Sequence, residues 1–238
     1  MPKIDNAIIM AAGFGTRMRP LTYKTPKPLV EVDGKPMIES VIDALHENGI
    51  NDISVVVGYL AAQFDYLPQK FPGVQLINNP YYNRYNNISS LYVARDQLHN
   101  TVILDGDQLI MNPTILKRNF THSGYAGSPI SSWSDEWIMH VDKHNVVTSC
   151  DRDGGDQGWR LYSLSKWTAS DSSKLKQDLV QEFEDRHNRD IYWDDVAMFR
   201  HFADFTLTMM PINSGDIIEV DSIEQLAAIN KLLKGRLN

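Results

Sequence analysis

Two apolar runs near the start of the chain, separated by an amphipathic stretch, indicate a β-α-β unit. Residues 7–12 are continuously apolar, as expected for a strand that is buried on both faces. From Pro36 onward apolar residues recur at helical spacing until Gly49 supplies a stop, and a second apolar strand follows at 53–57. A strand, a helix and a strand in this order predict a parallel sheet.

The rest of the pattern predicts a single α/β domain that carries a β-rich portion. The expected elements are a strand near 74–77, a helix over 89–98, a strand over 101–104, antiparallel strands within 125–168, a helix over 172–187 and a C-terminal helix that begins at a capping box of Ser222 and Gln225. Neither an internal repeat nor a Pro/Gly-rich linker interrupts this order.

Composition and charge limit the classes of partner that the chain can have. A chain of 238 residues with 42% hydrophobic content can bury a core without a disulfide or a structural metal. The single cysteine, Cys150, and the lack of a signal-peptide or membrane-spanning pattern predict a cytoplasmic protein. The net charge of -7 argues against a broad surface for nucleic acid or membrane, so an anionic partner must be held by a local site.

Positive charge is concentrated just after the first glycine-rich turn. The G-x-G pair at 13–15 lacks the third glycine of a dinucleotide fingerprint, because Met18 stands there, and the Gly-Lys-Ser/Thr of a Walker loop is also absent. Glycines let a backbone approach a ligand, and Arg17, Arg19 and Lys27 add cations that suit phosphate oxygens. The alternative is an ordinary turn with solvated charges.

Two acidic sequences could hold a divalent metal beside a bound triphosphate. Asp105 and Asp107 follow an apolar strand, where open α/β sheets place their ligands, although an Asp-Gly pair is also a common turn. Asp194 and Asp195 follow two aromatic residues and are candidates for a second carboxylate.

Large aromatic residues are concentrated in the second half of the chain. They could form a cage for a quaternary ammonium group, which is attracted to aromatic faces, or they could simply pack in the core. The candidates are Trp133, Trp137, Trp159, Trp167, Tyr192 and Trp193.

Several motifs resemble those of known enzymes. GFGTRMRPLT (13–22) with TPKPL (25–29) is similar to the signature of the nucleotidyltransferases that make sugar nucleotides and related activated alcohols. Nearly the whole chain, with matched spacing, resembles the CTP:phosphocholine cytidylyltransferases of the bacterial choline-incorporation type. The stretches that carry this second resemblance are NNISSLY (86–92), DEW (135–137), LYSLSKW (161–167), YWDD (192–195) and IEVDS (218–222). Ser163 departs from the glycine that such relatives often have there, and Trp159 has no counterpart.

The resemblance implies a fold and a reaction. The fold is a Rossmann-like nucleotidyltransferase domain over 1–238, with a central, mostly parallel mixed sheet flanked by helices and a small β-rich acceptor-binding portion. Residues 1–124 would form the nucleotide-binding half, and residues 125–238 would form the acceptor-binding half and the C-terminal helix. The implied reaction transfers CMP from CTP to phosphocholine by magnesium-assisted in-line attack, giving CDP-choline and pyrophosphate.

The resemblance also implies roles for individual residues. The expected catalytic residues are Lys27, Arg17, Asp107 and Asp194. The expected nucleotide-binding residues are Ala11, Ala12, Gly13, Gly15, Thr16, Arg17, Asn87 and Ser90. Asp107 and Asp194 would hold Mg²⁺. Trp137 and Tyr192 would line the choline pocket, and Lys27 would lie between the triphosphate and the acceptor phosphate.

A general base is not needed for this reaction. A phosphate monoester, whose second pKa is about 6, is already mostly a dianion at neutral pH. The alternatives are nucleotidyl transfer to phosphoethanolamine, an aminophosphonate or a sugar-1-phosphate, and a catalytically silent nucleotide-binding regulatory subunit. The partners expected in every enzymatic case are small molecules, with neither nucleic acid nor membrane among them.

Overall fold

A nine-stranded mixed sheet organises the chain in the computed structural model, which describes residues 1–234. The strands of the described residues are β1 (Asn6–Ala11), β2 (Glu31–Val32), β3 (Lys35–Pro36), β4 (Asp52–Val57), β5 (Val74–Asn78), β6 (Thr101–Asp105), β7 (Gln108–Ile110), β8 (Gly124–Pro129), β9 (Ile138–Val141), β10 (Val147–Asp151), β11 (Trp159–Trp167), β12 (Thr208–Pro211) and β13 (Ile217–Glu219). Strands β2 and β3 pair with each other outside the large sheet, and so do β7 and β13. The helices are α1 (Met37–Glu47), α2 (Leu67–Lys70), α3 (Ile88–Ala94), α4 (Ala169–Val180) and α5 (Ile223–Lys234), with π-helical turns at Gln181–Asp185 and Val196–Arg200.

The sheet has a parallel part and an antiparallel part. Strand β1 lies between β6 and β4 and is parallel to both, and β5 continues the parallel order at the edge. Strand β11 is antiparallel to β6, β8 and β9, and β9 is antiparallel to β10. This order confirms the predicted mixed, mostly parallel sheet flanked by helices, and it confirms antiparallel strands within 125–168.

Alternate residues of β1 face two different cores, which explains why the strand is apolar throughout. Ala7 and Ile9 belong to the cluster that α1 buries, whereas Ile8 and Met10 belong to the cluster covered by α3 and α4. A strand buried on both faces has no polar side. At the carboxyl end of β1 the chain therefore leaves the core and enters the glycine-rich loop.

The four helices predicted from the sequence are present, with differences at some of their ends, whereas the short helix α2 was not predicted. Helix α4 begins at residue 169, because the Thr168 hydroxyl accepts a hydrogen bond from the Asp171 backbone N–H, and it continues as the π-helical turn Gln181–Asp185. The predicted capping box is confirmed: the N–H of Gln225 donates to the Ser222 hydroxyl, and the N–H of Ser222 donates to the Gln225 side chain. Within residues 1–234 no helix is both long and apolar enough to cross a membrane.

Candidate active site

Two adjoining cavities open at the carboxyl ends of β1 and β6. The larger has a volume of about 510 Å³ and the smaller about 390 Å³. Arg17, Lys27, Asp105 and Asp107 line both. The glycine-rich loop and the acidic end of β6 therefore meet in one cleft, at the edge where α/β sheets bind their ligands.

All eight predicted nucleotide-binding residues lie on the smaller cavity. They are Ala11, Ala12, Gly13, Gly15, Thr16, Arg17, Asn87 and Ser90. Two of them also hold the structure together. The Asn87 side-chain oxygen accepts a hydrogen bond from the N–H of Trp193, and the Ser90 hydroxyl accepts one from the side chain of Asn79.

The two glycines of the loop have different reasons to be glycine. Gly15 has a φ of 61°, and a Cβ built on it would lie 2.8 Å from the Cβ of Lys27. A side chain at 15 would therefore displace Lys27. A Cβ on Gly13 would meet nothing within 4 Å, so the space beside this residue is open to a ligand.

Lys27 is a buried cation shared by two carboxylates. Its Nζ lies 2.7 Å from Asp107 Oδ2 and 2.6 Å from Asp221 Oδ1. Burial lowers the pKa of Lys27, but the two carboxylates outweigh burial and hold that pKa above its ordinary value of 10.5. Arg17 contacts the same Asp221 oxygen at 2.8 Å, so one acidic residue joins two of the three cations predicted to suit phosphate oxygens.

Three acidic side chains lie close together on the larger cavity: Asp105, Asp107 and Asp194. Burial raises the pKa of Asp194 to about 7; the neighbouring Tyr125 hydroxyl opposes that rise, and the charge of Asp195 adds to it. Burial, followed by the charges of Asp107 and Asp194, raises the pKa of Asp105 well above its ordinary value. The Asp194 Oδ1 atom is buried and has no hydrogen-bond partner among the described residues. These carboxylates repel one another, and one of their oxygens has no partner. Such a group of oxygen ligands fits a divalent cation such as magnesium.

Further carboxylates line the same cavity, and the sequence interpretation had not assigned them a role. Glu136 and Glu219 lie on either side of Arg160, which forms an ion pair with Glu219 and approaches Glu136 at 3.4 Å. Burial raises the pKa of Glu219, and the charge of Arg160 opposes that shift. The acidic residues that line the cavity are Asp105, Asp107, Glu136, Asp194, Glu219 and Asp221.

The aromatic wall is smaller than the sequence suggested. Trp137 and Tyr192 line the larger cavity, and their rings meet edge to face at a centroid distance of 5.9 Å. The other four candidates lie elsewhere. Trp167 and Trp193 are buried in the core, Trp159 is half-buried in the sheet, and Trp133 is 65% exposed. Of the two alternatives left open for the six aromatic residues, core packing or exposure to solvent accounts for these four, and the two on the cavity are the pair that the resemblance assigns to the acceptor pocket.

Comparison with known proteins gives the family. Residues 7–160 match the model of the MobA-like NTP transferase domain. The chain is 40% identical to a 2-aminoethylphosphonate cytidylyltransferase of Lancefieldella rimae, over 94% of this chain and 92% of the relative. It is 34% identical to a choline-phosphate cytidylyltransferase of Streptococcus pneumoniae, over 96% of this chain and 98% of the relative.

Solved structures agree with this assignment. The CTP:phosphocholine cytidylyltransferase from Streptococcus pneumoniae superimposes with a TM-score of 0.90 at 34% identity, covering 96% of this chain and 98% of that one. An inositol-1-phosphate CTP transferase from T. maritima matches at 18% identity with a TM-score of 0.78, a likeness of fold alone. With a cation-lined loop and an acidic cluster facing one cleft, the chain belongs to the MobA-like NTP transferase family and is a cytidylyltransferase of small phosphorylated or phosphonylated molecules.

Proposed function

We propose that the protein transfers CMP from CTP to 2-aminoethylphosphonate and releases pyrophosphate. The observation that carries the choice of acceptor is the lining of the larger cavity, which offers six carboxylates and two aromatic rings. The 40% identity to an enzyme named for this acceptor supports the same choice.

The balance of carboxylates and aromatic rings matters because amines are recognised in two ways. A primary ammonium group donates three hydrogen bonds and is well matched by carboxylate oxygens. A quaternary ammonium group donates none of comparable strength and is attracted instead to aromatic faces. The Glu136 carboxylate lies on this cavity, approaches Arg160 only at 3.4 Å, and suits a hydrogen-bond donor better than a methylated nitrogen.

Phosphocholine is the second candidate acceptor. Trp137 and Tyr192 provide two aromatic faces on the cavity, and the relative with 34% identity is named for phosphocholine. Two rings give a weaker attraction for a quaternary ammonium group than a cage of more rings would. We therefore place phosphocholine after the aminophosphonate.

The reaction needs positioning and charge stabilisation more than proton transfer. An oxygen of the acceptor phosphonate attacks the α-phosphorus of CTP, the bond from that phosphorus to the α,β-bridging oxygen breaks, and pyrophosphate leaves. Lys27 and Arg17 lie where the two cavities join, so their charges would stabilise the phosphate oxygens during the attack.

Nucleotidyltransferases of this family are typically metal-dependent, and the acidic cluster fits that requirement. Asp107 and Asp194 would hold magnesium, with Asp221 as a third carboxylate beside the same lysine. When bound, the metal would neutralise charge on the polyphosphate. Lys27 would then exchange its contacts with Asp107 and Asp221 for contacts with phosphate oxygens.

A substrate screen tests the proposed function directly. The four common ribonucleoside triphosphates are combined with 2-aminoethylphosphonate, phosphocholine, phosphoethanolamine and a sugar-1-phosphate, and pyrophosphate release is followed with magnesium present. We expect CTP with 2-aminoethylphosphonate to give the highest kcat/KM. A higher kcat/KM for phosphocholine would select the second candidate, and the absence of pyrophosphate release with every pair would reject both.

Replacing Trp137 by alanine should affect the acceptor and spare the nucleotide. The loss of one aromatic face from the cavity is expected to raise the KM for the acceptor about tenfold, because such contacts are worth about 1–2 kcal/mol. The KM for CTP should stay nearly unchanged, since Trp137 does not line the smaller cavity. Trp133→Ala, at an exposed position outside both cavities, is the control. Equal increases in both KM values for Trp137→Ala would count against an acceptor wall.

A further inference from the structure

We propose that Arg152 is a positioning residue of the acceptor pocket, holding Trp137 and Tyr192 in place from behind the cavity wall. This inference rests on the proposed function, because it takes the larger cavity as the acceptor side: Trp137 lines that cavity alone, whereas Tyr192 lines both cavities. Arg152 itself does not line either cavity. Any effect on the substrate must therefore pass through its neighbours.

The guanidinium of Arg152 lies over two aromatic rings. Its Cζ atom is 3.9 Å from the ring centroid of Phe199 and 5.4 Å from that of Trp137. Trp137 and Phe199 meet edge to face at 5.3 Å. A planar cation against two rings favours one orientation of the indole, because both stacking and cation–π attraction depend on geometry. The indole that lines the cavity is thus supported from its far side.

A second contact connects Arg152 to Tyr192. Arg152 forms an ion pair with Asp195, whose side chain is only 2% exposed. The other oxygen of Asp195 accepts a hydrogen bond of 2.8 Å from the backbone N–H of Tyr192. Without the guanidinium, the buried carboxylate of Asp195 would lose this ion pair, and the conformation in which it accepts the Tyr192 N–H would no longer be favoured. The same arginine therefore supports both aromatic residues of the wall.

The turn that carries Arg152 is fixed to the segment before Trp137. Residues 152–158 connect β10 to β11. Gly155 and Ser134 exchange two backbone hydrogen bonds, of 2.8 and 2.9 Å, so this turn packs beside the 134–137 segment. These contacts fix the turn that carries Arg152 beside Trp137, a role that its glycine-rich sequence does not indicate.

The kinetic test compares two arginines that differ in what they support. Arg152 and Arg186 are 43% and 48% exposed, and each pairs with a buried carboxylate, Asp195 and Glu182 respectively. Arg152→Met is expected to raise the KM for the acceptor about tenfold while changing kcat and the KM for CTP by less than about twofold, the pattern of a lost contribution to acceptor binding. Arg186→Met should produce no such difference between the substrates. Arg152→Lys, which keeps the charge but not the planar stack, should be intermediate.

A fluorescence test reads the position of Trp137 without requiring activity. Acrylamide quenching should increase in Arg152→Met relative to the wild-type protein and to Arg186→Met. The increase should disappear when the same change is made in a Trp137→Phe background, which removes the supported indole. If the wild-type protein transfers CMP to no acceptor, the proposed function fails, and quenching alone then decides whether Arg152 supports Trp137. With an active wild-type enzyme, an unchanged acceptor KM in Arg152→Met overturns the proposal.

Discussion

Replacing Lys27 by alanine is expected to lower kcat at least about 10²-fold, the usual scale for the loss of one preorganised charge stabiliser. The ammonium of Lys27 is buried, lies where the two cavities meet and keeps its proton because Asp107 and Asp221 raise its pKa. Steady-state pyrophosphate release with both substrates saturating measures the effect.

The control for Lys27→Ala is another lysine of the same loop. Lys24 is exposed and does not line either cavity, so Lys24→Ala should retain nearly all of the turnover. Circular dichroism of both variants checks that the fold persists. Turnover near the wild-type value in Lys27→Ala would remove Lys27 from the reaction, and an equal loss in Lys24→Ala would show that the loop acts only through its general charge.

The parts of the site that follow from local sequence could be predicted. A continuous apolar run predicts β1, and the residues directly after it must then lie at its carboxyl end, which fixes the place of the glycine-rich loop. Asp107 follows β6 in the same way, and β6 pairs with β1 in parallel. Lys27, Asp107 and Asp194 were expected on one cleft, and they line one cavity.

Asp221 and Glu219 depend on a pairing that the sequence does not reveal. Strand β13 has three residues and pairs with the equally short β7, so Glu219 lies opposite Gln108 and the chain delivers Asp221 to Lys27. Strands this short have too few residues for an alternation of polar and apolar positions to show. The available signal was the stretch IEVDS (218–222), which carries the resemblance and contains both residues, but neither was assigned a role from it.

The aromatic residues show a similar limit of prediction from the sequence. Trp193 is adjacent to Tyr192 in the chain, yet it stacks on Tyr125 at 5.9 Å in the core while Tyr192 reaches the cavity. Neighbouring residues at the end of a turn point in different directions, and only the packing decides which of them faces a ligand. Composition alone predicts only that the second half of the chain is rich in aromatic residues, and the resemblance, not the composition, named Trp137 and Tyr192, which line the larger cavity.

Replacing Asp194 by asparagine is expected to stabilise the metal-free protein at pH 8 while lowering activity at least about 10²-fold. Burial first, and then the charge of Asp195, raise the pKa of Asp194 from its ordinary value of 3.8 to about 7 in the folded protein. Its stabilising contribution is thus complete below the unfolded pKa and is lost as the pH rises toward 7. An amide never ionises, so the variant avoids a cost of roughly 2–4 kcal/mol in the free energy of unfolding at pH 8.

Urea denaturation of metal-free protein at pH 4 and pH 8 measures this difference. We expect the asparagine variant to gain stability over the wild-type protein at pH 8 and to gain little at pH 4, where Asp194 is protonated in the folded state. Asp153→Asn, at an exposed aspartate, should show no pH-dependent difference. Magnesium with CTP should then stabilise the wild-type protein more than Asp194→Asn, since only the carboxylate gains a cation. An Asp194→Asn variant that is active, or no more stable at pH 8 than the wild type, would show that this buried acid is not held ready for a bound cation.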